Sequence, residues 1–234
     1  KGKGVFVWDV ENKRYYDLPA IKKEANMYAK WQHSWATNFT SYIDLQYRNV
    51  SHRMDGFHNN PTLNINRSFG FFNPKIGYQY NKNGWVHYAS YAIGQKEPNR
   101  DDFEAGAATQ PNPERLQDLE IGLEKRNKKT NWSANFYYMR YKDQLVLTGK
   151  INDVGAYTRM NVPNSYRLGI ELMHTTILTS KLQLSSNVTL SRNKIKSFTE
   201  FIDNYDTGGQ DAITRNNTNI AFSPNFIAAS TLAY

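Results

Sequence analysis

The stretch PERLQDLEIGLEKRNKKTNWSANFYYMRYKDQLVL, residues 113–147, decides the fold because it reads as two strands joined by a short polar turn. Successive strand residues point to opposite faces, and in both arms apolar residues alternate with polar ones. The apolar positions are Leu119, Ile121, Leu123, Trp132, Ala134, Phe136 and Tyr138, and the polar ones are Asp118, Glu120, Glu124, Ser133, Asn135, Tyr137 and Tyr141. This pattern is typical of a soluble β-sandwich and also of a transmembrane barrel.

The composition narrows the class of protein. The chain has 234 residues, 14% aromatic residues and a mean hydropathy of -0.72, with no run of about 18 apolar residues. A bundle of membrane helices is excluded, whereas a barrel is allowed because only alternate strand residues meet lipid. The absence of cysteine excludes disulfides and thiol chemistry.

The charge pattern argues against a nucleic-acid partner. The formal net charge is +8, but the basic residues are scattered in pairs such as Lys22–Lys23 and Lys128–Lys129 rather than gathered into one stripe. Residues 1–10 read as a strand and carry no signal peptide.

The connections between the apolar-alternating runs decide between a sandwich and a barrel. Short turns are predicted at residues 36–38, 81–84, 126–131 and 179–180, and long loops at about residues 55–61, 96–112, 150–162 and 196–219. A closing strand follows from Ile220 to Tyr234. Short and long connections alternate as they do in an up-and-down outer-membrane barrel, with tight turns on the periplasmic side. The predicted fold is therefore all-β, an antiparallel up-and-down transmembrane β-barrel segment of about ten strands.

Four tryptophans support this prediction because they fall next to short turns: Trp31, Trp35, Trp85 and Trp132. Aromatic residues form girdles where a barrel meets the membrane interface. A sandwich core filled with aromatics remains the alternative for these residues taken alone.

Several short motifs lie in a characteristic order between about Phe69 and Lys194. They are FNPKIGY (72–78), YASY (88–91), KEPN (96–99), PER (113–115), EIGL (120–123), residues 137–145, Asn161 and GIEL (169–172). In order and spacing they resemble the C-terminal barrel portion of a TonB-dependent outer-membrane receptor of the Bacteroidetes type.

The resemblance implies a barrel of about 22 strands around a plug domain. It also implies TonB-driven uptake of a scarce nutrient across the bacterial outer membrane. An iron–siderophore complex is the first candidate substrate, and haem, cobalamin or a glycan are the others. Residues 1–234 depart from it by having about ten strands, no plug or TonB box before Lys1, and no final strand ending in phenylalanine. The expected partners are outer-membrane lipid, TonB through the missing N-terminal part, and a small metal chelate, with no nucleic acid.

Charged residues on the polar faces are expected to contact the plug or to line a wet lumen. They are Asp44, Arg48, Lys75, Glu120, Glu124, Arg167 and Glu171. In a soluble fold so many charges could not be buried without partners.

Ligand contacts are expected in the long outer loops, where aromatic and arginine side chains would hold a planar or anionic chelate. The candidates are Tyr91, Phe103, Tyr157, Arg159 and Tyr205.

Motifs of catalysis are missing from the sequence, so we predict no enzyme, no catalytic residues, no cofactor and no metal site. Two weaker metal hypotheses concern His52 and His58 around Asp55, and a calcium loop at Asp203, Asp206 and Asp211. Two other functions stay open. One is a soluble β-sandwich or barrel that binds carbohydrate or nucleic acid, and the other is a porin or adhesin-type barrel.

Overall fold

A computed structural model describes residues 17–106, 110–152 and 154–234, and the strand predicted at residues 1–10 lies outside these ranges. The described residues form ten strands and one short helix. The strands are β1 (Ala20–Ala36), β2 (Phe39–Asp55), β3 (Asn64–Lys82), β4 (Trp85–Lys96), β5 (Glu114–Arg126), β6 (Thr130–Ile151), β7 (Tyr157–Thr179), β8 (Leu182–Asn204), β9 (Gly209–Asn219) and β10 (Phe226–Ala233), and the helix α1 spans Arg100–Phe103.

All strands belong to one antiparallel sheet in which β1 to β8 follow each other in chain order. Strands β9 and β10 both pair with β8, β9 along Lys194–Asn204 and β10 along Gln183–Leu190. Because β7 pairs with one edge of β8, β9 and β10 lie one after the other along its opposite edge, and we call them together the β9–β10 line. The up-and-down order predicted from the sequence is confirmed, and among the strands of residues 17–234 that the structure describes, the two outer edges of the sheet are β1 and the β9–β10 line.

The connections lie at two ends of the sheet, here named the turn end and the loop end. The turn end carries residues 37–38, 83–84, 127–129 and 180–181, and at the second of these turns Asn83 and Gly84 both have positive φ, as a tight hairpin requires. The loop end carries residues 56–63, 97–113, 152–156 and 205–208. Every connection at the loop end is therefore longer than those at the turn end.

Two of the predicted long loops are wrong. Residues 150–162 and 196–219 are mostly strand, because β6, β7 and β8 run on to 22 or 23 residues each and β9 returns beside β8. Beyond the hydrocarbon a strand faces water on both sides, so its apolar alternation fades and its sequence reads as a loop.

One face of the sheet is apolar and exposed. A hydrogen-bonded row crosses it through Ile43, Ile76, Tyr91, Leu119, Tyr138, Leu168 and Arg192. Large apolar side chains of this face are open to the surroundings, including Ile76, Ile121, Ile170 and Leu190. The described residues contain no second sheet to cover them, so the soluble sandwich is not the fold.

The apolar band crosses the sheet obliquely. In β2 the last apolar residue of the band toward the loop end is Tyr47, four residues on the loop-end side of the row described above. In β8 it is Leu190, two residues on the turn-end side of the same row. This loop-end limit thus shifts by six residues over six strand-to-strand steps. One residue of about 3.4 Å per strand spacing of about 4.8 Å corresponds to a tilt of roughly 35°. Strands of membrane barrels tilt by this amount.

The opposite, polar face contains tyrosines that lie over glycines of the next strand. The register pairs are Tyr42 with Gly77, Tyr88 with Gly122, and Tyr137 with Gly169. At each glycine a Cβ atom would approach the tyrosine ring closer than 3.0 Å. Large rings therefore fill the gaps left by glycines, which keeps neighbouring strands in register.

The buried apolar residues collect at the loop end. One cluster consists of Val50, Met54, Phe57, Leu63, Ile65, Phe69, Phe71 and Phe103, and a smaller one of Val162, Ile195 and Ile220. Among residues 17–106, 110–152 and 154–234 no helix has the length and apolar character needed to cross a membrane.

Candidate functional site at the loop end

The connection between β4 and β5 is held by a short helix with a capping box. Asn99 Oδ1 accepts a hydrogen bond from the Asp102 backbone N–H at 2.9 Å, and Asp102 Oδ2 accepts one from the Asn99 N–H at 2.7 Å. This reciprocal arrangement satisfies backbone donors that a helix start leaves free. Asp102 is 2% exposed.

Arg159 of β7 fixes the same helix from the side. Its Nε donates to Asp102 Oδ1 at 2.7 Å and its Nη2 donates to Asp102 Oδ2 at 2.8 Å. A bidentate pair of this kind is strong and sets the orientation of both groups. Arg159 therefore joins the β4–β5 connection to the β6–β7 hairpin.

Phe103 forms the apolar anchor of the helix. It is 0% exposed and contacts the rings of His52 and Phe69, with centroid distances of 5.3 and 6.4 Å. Phe103 does lie in the loop-end connection, as expected, but its ring is packed in the core, so its proposed contact with ligand is not compatible with this structure.

A charged network ties the start of the β4–β5 connection to β1 and β2. Arg48 donates to Glu97 through Nη1 at 2.7 Å and Nη2 at 2.8 Å, and also through Nε to Glu24 at 2.7 Å. Lys22 donates to Glu97 Oε1 at 2.9 Å. Burial opposes the ionisation of Glu97, but these hydrogen bonds outweigh it and lower its pKa to about 2.

A cavity of about 240 Å³ lies between the β4–β5 connection and the outer parts of β6 and β7. It is lined by Ala105, Gln110, Pro111, Lys150, Thr158, Arg159, Met160 and Asn161. Asn161 holds its rim, because its Nδ2 donates to the Asn112 carbonyl at 3.0 Å and its Oδ1 accepts from the Asn112 N–H at 2.8 Å. Lys150 gives the lining of the cavity a positive charge, whereas the charge of Arg159 is balanced by its pair with Asp102.

Two further candidate residues lie at the loop end but outside the lining of this cavity. Tyr157 begins β7, and its hydroxyl donates to Asp203 Oδ2 at 2.6 Å. Tyr205 is 93% exposed in the turn between β8 and β9. The structure thus brings Tyr157 and Arg159 onto one strand and leaves Tyr205 free to meet a ligand.

Tyr91 was expected in an outer loop, and this placement is wrong. It lies within β4 on the apolar face, in register with Ile76 and Leu119, and is 39% exposed. Tyr91 was chosen for its aromatic ring, but it belongs to the strand that returns from the turn at residues 83–84.

The seven residues expected to face the plug or lumen all lie on the polar face. Asp44 is paired with Lys75, Glu120 with Tyr137, Glu124 with Ser133, and Glu171 with Asn135. Arg167 is paired with Met139 and donates to the Ser223 hydroxyl at 2.7 Å. Arg48 belongs to the network at Glu97 described above.

The two metal hypotheses find no support in the described residues, which contain no group of three or more ligating side chains. His52 lies in the aromatic cluster. Asp203 accepts hydrogen bonds from Tyr157 and Gln210, and Asp211 accepts one from Asn204.

Sequence reasoning missed Glu97, Asp102 and Lys150. The Asn99–Asp102 spacing is a capping-box pattern and could have revealed the helix. Nothing local in the sequence signals that Glu97 meets Arg48 or that Lys150 lines a cavity, because these contacts join distant strands.

A single twisted sheet with an exposed oblique apolar band and a polar opposite face defines the class of transmembrane β-barrel proteins. Residues 6–234 match the model of the family described as TonB dependent receptor-like, beta-barrel. The chain belongs to this family and to the bacterial outer membrane. The description of the family names a receptor that depends on TonB.

Solved structures show the same fold at low identity. The siderophore receptor PiuA from Acinetobacter baumannii is 17% identical with a TM-score of 0.69, covering 92% of this chain and 31% of its own. The copper transporter OprC is 16% identical with a TM-score of 0.66, covering 75% and 29%. The ferric-catecholate import receptor Fiu from Escherichia coli K12 is 16% identical with a TM-score of 0.64, covering 91% and 32%.

The chain spans about a third of the length of these structures. Among curated proteins none matches it. The resemblance to TonB-dependent receptors is confirmed, whereas the comparisons do not bear on its Bacteroidetes-type detail, which stays a prediction.

Proposed function

We propose that the chain forms part of the barrel of a receptor that takes up a metal chelate, with an iron–siderophore complex as the first candidate. The observation that carries this proposal is the cavity at the loop end, where Lys150 adds a positive charge beside the Arg159–Asp102 pair. Anionic chelates are held by such cations, and exposed aromatic rings such as Tyr205 stack on planar ligands. Haem, cobalamin and glycans are the competing substrates.

The neighbours' functions support a metal chelate over a glycan. PiuA is a siderophore receptor, Fiu imports ferric catecholates and OprC transports copper. In our proposal Tyr157, Arg159 and Tyr205 contact the ligand, and TonB drives its passage through a plug domain within the complete barrel.

The residues of the polar face would contact that plug. Three buried acceptors on this face, Asn73 Oδ1, Asp118 Oδ1 and Asn135 Oδ1, have no hydrogen-bond partner among the described residues. Buried acceptors of this kind require donors, which a plug would supply. Replacing Glu120 and Glu171 by Gln should slow substrate transport in cells without weakening substrate binding to the purified receptor. Weakened binding would assign these residues to the ligand instead.

The substrate is tested by equilibrium binding to the full-length receptor in detergent. The probes are a ferric catecholate, a ferric hydroxamate, haem, cobalamin and a neutral oligosaccharide. We expect a ferric chelate to bind most tightly. Exclusive binding of cobalamin or the oligosaccharide would overturn the proposal.

The site is tested with Lys150→Ala, since a hydrogen bond to a charged group contributes about 1.5–3 kcal/mol and its loss weakens binding at least tenfold. Tyr205→Ala should also weaken binding. The matched control is Lys181→Ala in a turn at the opposite end of the sheet, which should leave affinity unchanged. Equal affinities of Lys150→Ala and its control would place the ligand elsewhere.

A further inference from the structure

A second basic cavity lies on the other side of the sheet, where the apolar face ends. It has a volume of about 180 Å³ and is lined by Arg115, Gln117, Arg140, Lys142 and Asn164. On β5 and β6 these residues lie on the same face of the sheet as Leu119 and Tyr138, and they follow those two residues toward the loop end. The cavity therefore opens toward the surroundings of the sheet and not toward its polar face.

The cations of this cavity occupy neighbouring positions on β5 and β6. Arg115 lies directly opposite Lys142 in the register, and Arg140 lies opposite Gln117, two residues further along on the same face. No ion pair among the described residues includes Arg115, Arg140 or Lys142. Like charges directly opposite each other destabilise a strand pair. An anion between them would remove this repulsion.

The position of the cavity along the strands identifies the layer it meets. Lys142 follows the turn-end aromatic Trp132 by ten residues on β6. That is about 34 Å along the strand and, at the tilt of roughly 35°, about 28 Å along the membrane normal. The apolar band of an outer-membrane barrel is about 25 Å tall. Lys142 and its register partner Arg115 therefore lie just above the hydrocarbon, at the level of lipid headgroups on the loop-end side. Arg140, two residues nearer the turn end, lies at about 22 Å, near the upper edge of the hydrocarbon, and its side chain is long enough to reach the headgroup level.

We propose that this cavity binds the phosphate of an anionic lipid headgroup in the leaflet on the loop-end side. Arginine forks match phosphate oxygens bidentately, lysine adds a point charge, and the Gln117 and Asn164 amides supply further donors. The acyl chains of the same lipid would cover Leu119 and the paired rings of Tyr138 and Tyr166, whose centroids are 6.4 Å apart.

A lipid explains the site better than a free anion. A free phosphate would need only the cations, whereas here the basic cavity adjoins an exposed apolar surface on the same strands. Arg192 and Lys194 continue the basic positions onto β8, the second of them in register with Tyr166. This inference rests on the membrane location of the family and is independent of the substrate proposed above.

The test measures lipid binding to the full-length receptor with Arg115, Arg140 and Lys142 all replaced by Gln. The matched control replaces Lys128, Lys129 and Lys181 by Gln, which removes the same charge at the turn end. Receptors in zwitterionic detergent are titrated with three probes. They are a phosphorylated lipid whose headgroup is anionic, the zwitterionic lipid phosphatidylcholine, and inorganic phosphate. Each basic side chain near a lipid surface contributes about a fivefold gain in affinity, so the site variant should bind the phosphorylated lipid roughly a hundredfold more weakly.

The control should bind this lipid like the wild type, and inorganic phosphate should not compete at millimolar concentration. Without lipid the site variant should melt no lower than the wild type, because a repulsion has been removed. Added phosphorylated lipid should raise the melting temperature of the wild type only. Equal lipid affinity of site variant and wild type would overturn the proposal, and so would equal binding of phosphatidylcholine or effective competition by phosphate.

Discussion

At the scale of single residues, Asp102 combines two roles at the loop end. It completes the capping box of α1 and it receives both hydrogen bonds from Arg159. Removing one partner of a buried charge pair is costly because the other charge is left without compensation. The β4–β5 connection should therefore depend on this one carboxylate.

The variant Asp102→Asn tests this dependence because it keeps the size and removes the charge. We expect the free energy needed to open the β4–β5 connection to fall by about 2 kcal/mol. This loss is smaller than for a fully buried pair because Arg159 is partly exposed. Amide hydrogen exchange at residues 99–104 should accelerate roughly 30-fold. Asp101→Asn, on the exposed side of the same helix, serves as control. Unchanged exchange in Asp102→Asn would contradict the role of this pair.

Glu97 gives the loop end a pH dependence of definite sign. Its folded pKa of about 2 lies below the ordinary value of 4.5, so its stabilising effect is complete above about pH 4.5. The effect is lost as the pH falls from 4.5 toward 2, by on the order of 3 kcal/mol. Denaturant unfolding of wild type and Glu97→Gln should differ most above pH 4.5 and converge toward pH 2. A stability difference that grows in acid would contradict the assignment.

At the scale of elements, tyrosine–glycine pairs hold neighbouring strands together on the polar face. At Gly122 a Cβ atom would lie 1.9 Å from Cζ of Tyr88, so the ring must move. At Gly94, on the same face of the adjoining strand, nothing lies within 4 Å. These two glycines form a matched pair for substitution.

Gly122→Ala should destabilise the protein by about 1–2 kcal/mol, because overpacking displaces the Tyr88 ring. Gly94→Ala should be neutral or stabilise by a few tenths of a kcal/mol, since alanine costs less chain entropy in a strand. Urea unfolding of the receptor in detergent measures both free energies. Equal effects of the two substitutions would show that the ring does not constrain the register.

The sequence predicts strands well where they cross the hydrocarbon and poorly beyond it. Leu119, Ile121 and Leu123 alternate with charged or small residues, and this segment is β5 as expected. Residues 196–204 carry polar groups on both faces, so their sequence predicts a loop where the structure extends β8. Of the proposed ligand site, Arg159 and Tyr205 are predicted from residue type alone. The burial of Phe103 and the contact of Glu97 with Arg48 depend on packing between distant segments.

At the scale of the whole molecule, the account depends on which face of the sheet meets lipid. The oblique apolar band, the strand tilt and the family membership all require that Ile121 contacts hydrocarbon and that its neighbour Glu120 does not. Residues 1–234 contain no cysteine, so once any cysteine elsewhere in the receptor is replaced, a fluorophore can be attached at one chosen position.

The most direct measurement labels Ile121→Cys and Glu120→Cys of the full-length receptor with the same fluorophore and reconstitutes each variant into bilayers containing brominated lipid. Bromine on the acyl chains quenches only fluorophores that touch them. The account predicts strong quenching at position 121 and little at position 120. Quenching that is equal at both positions, or stronger at position 120, would contradict it.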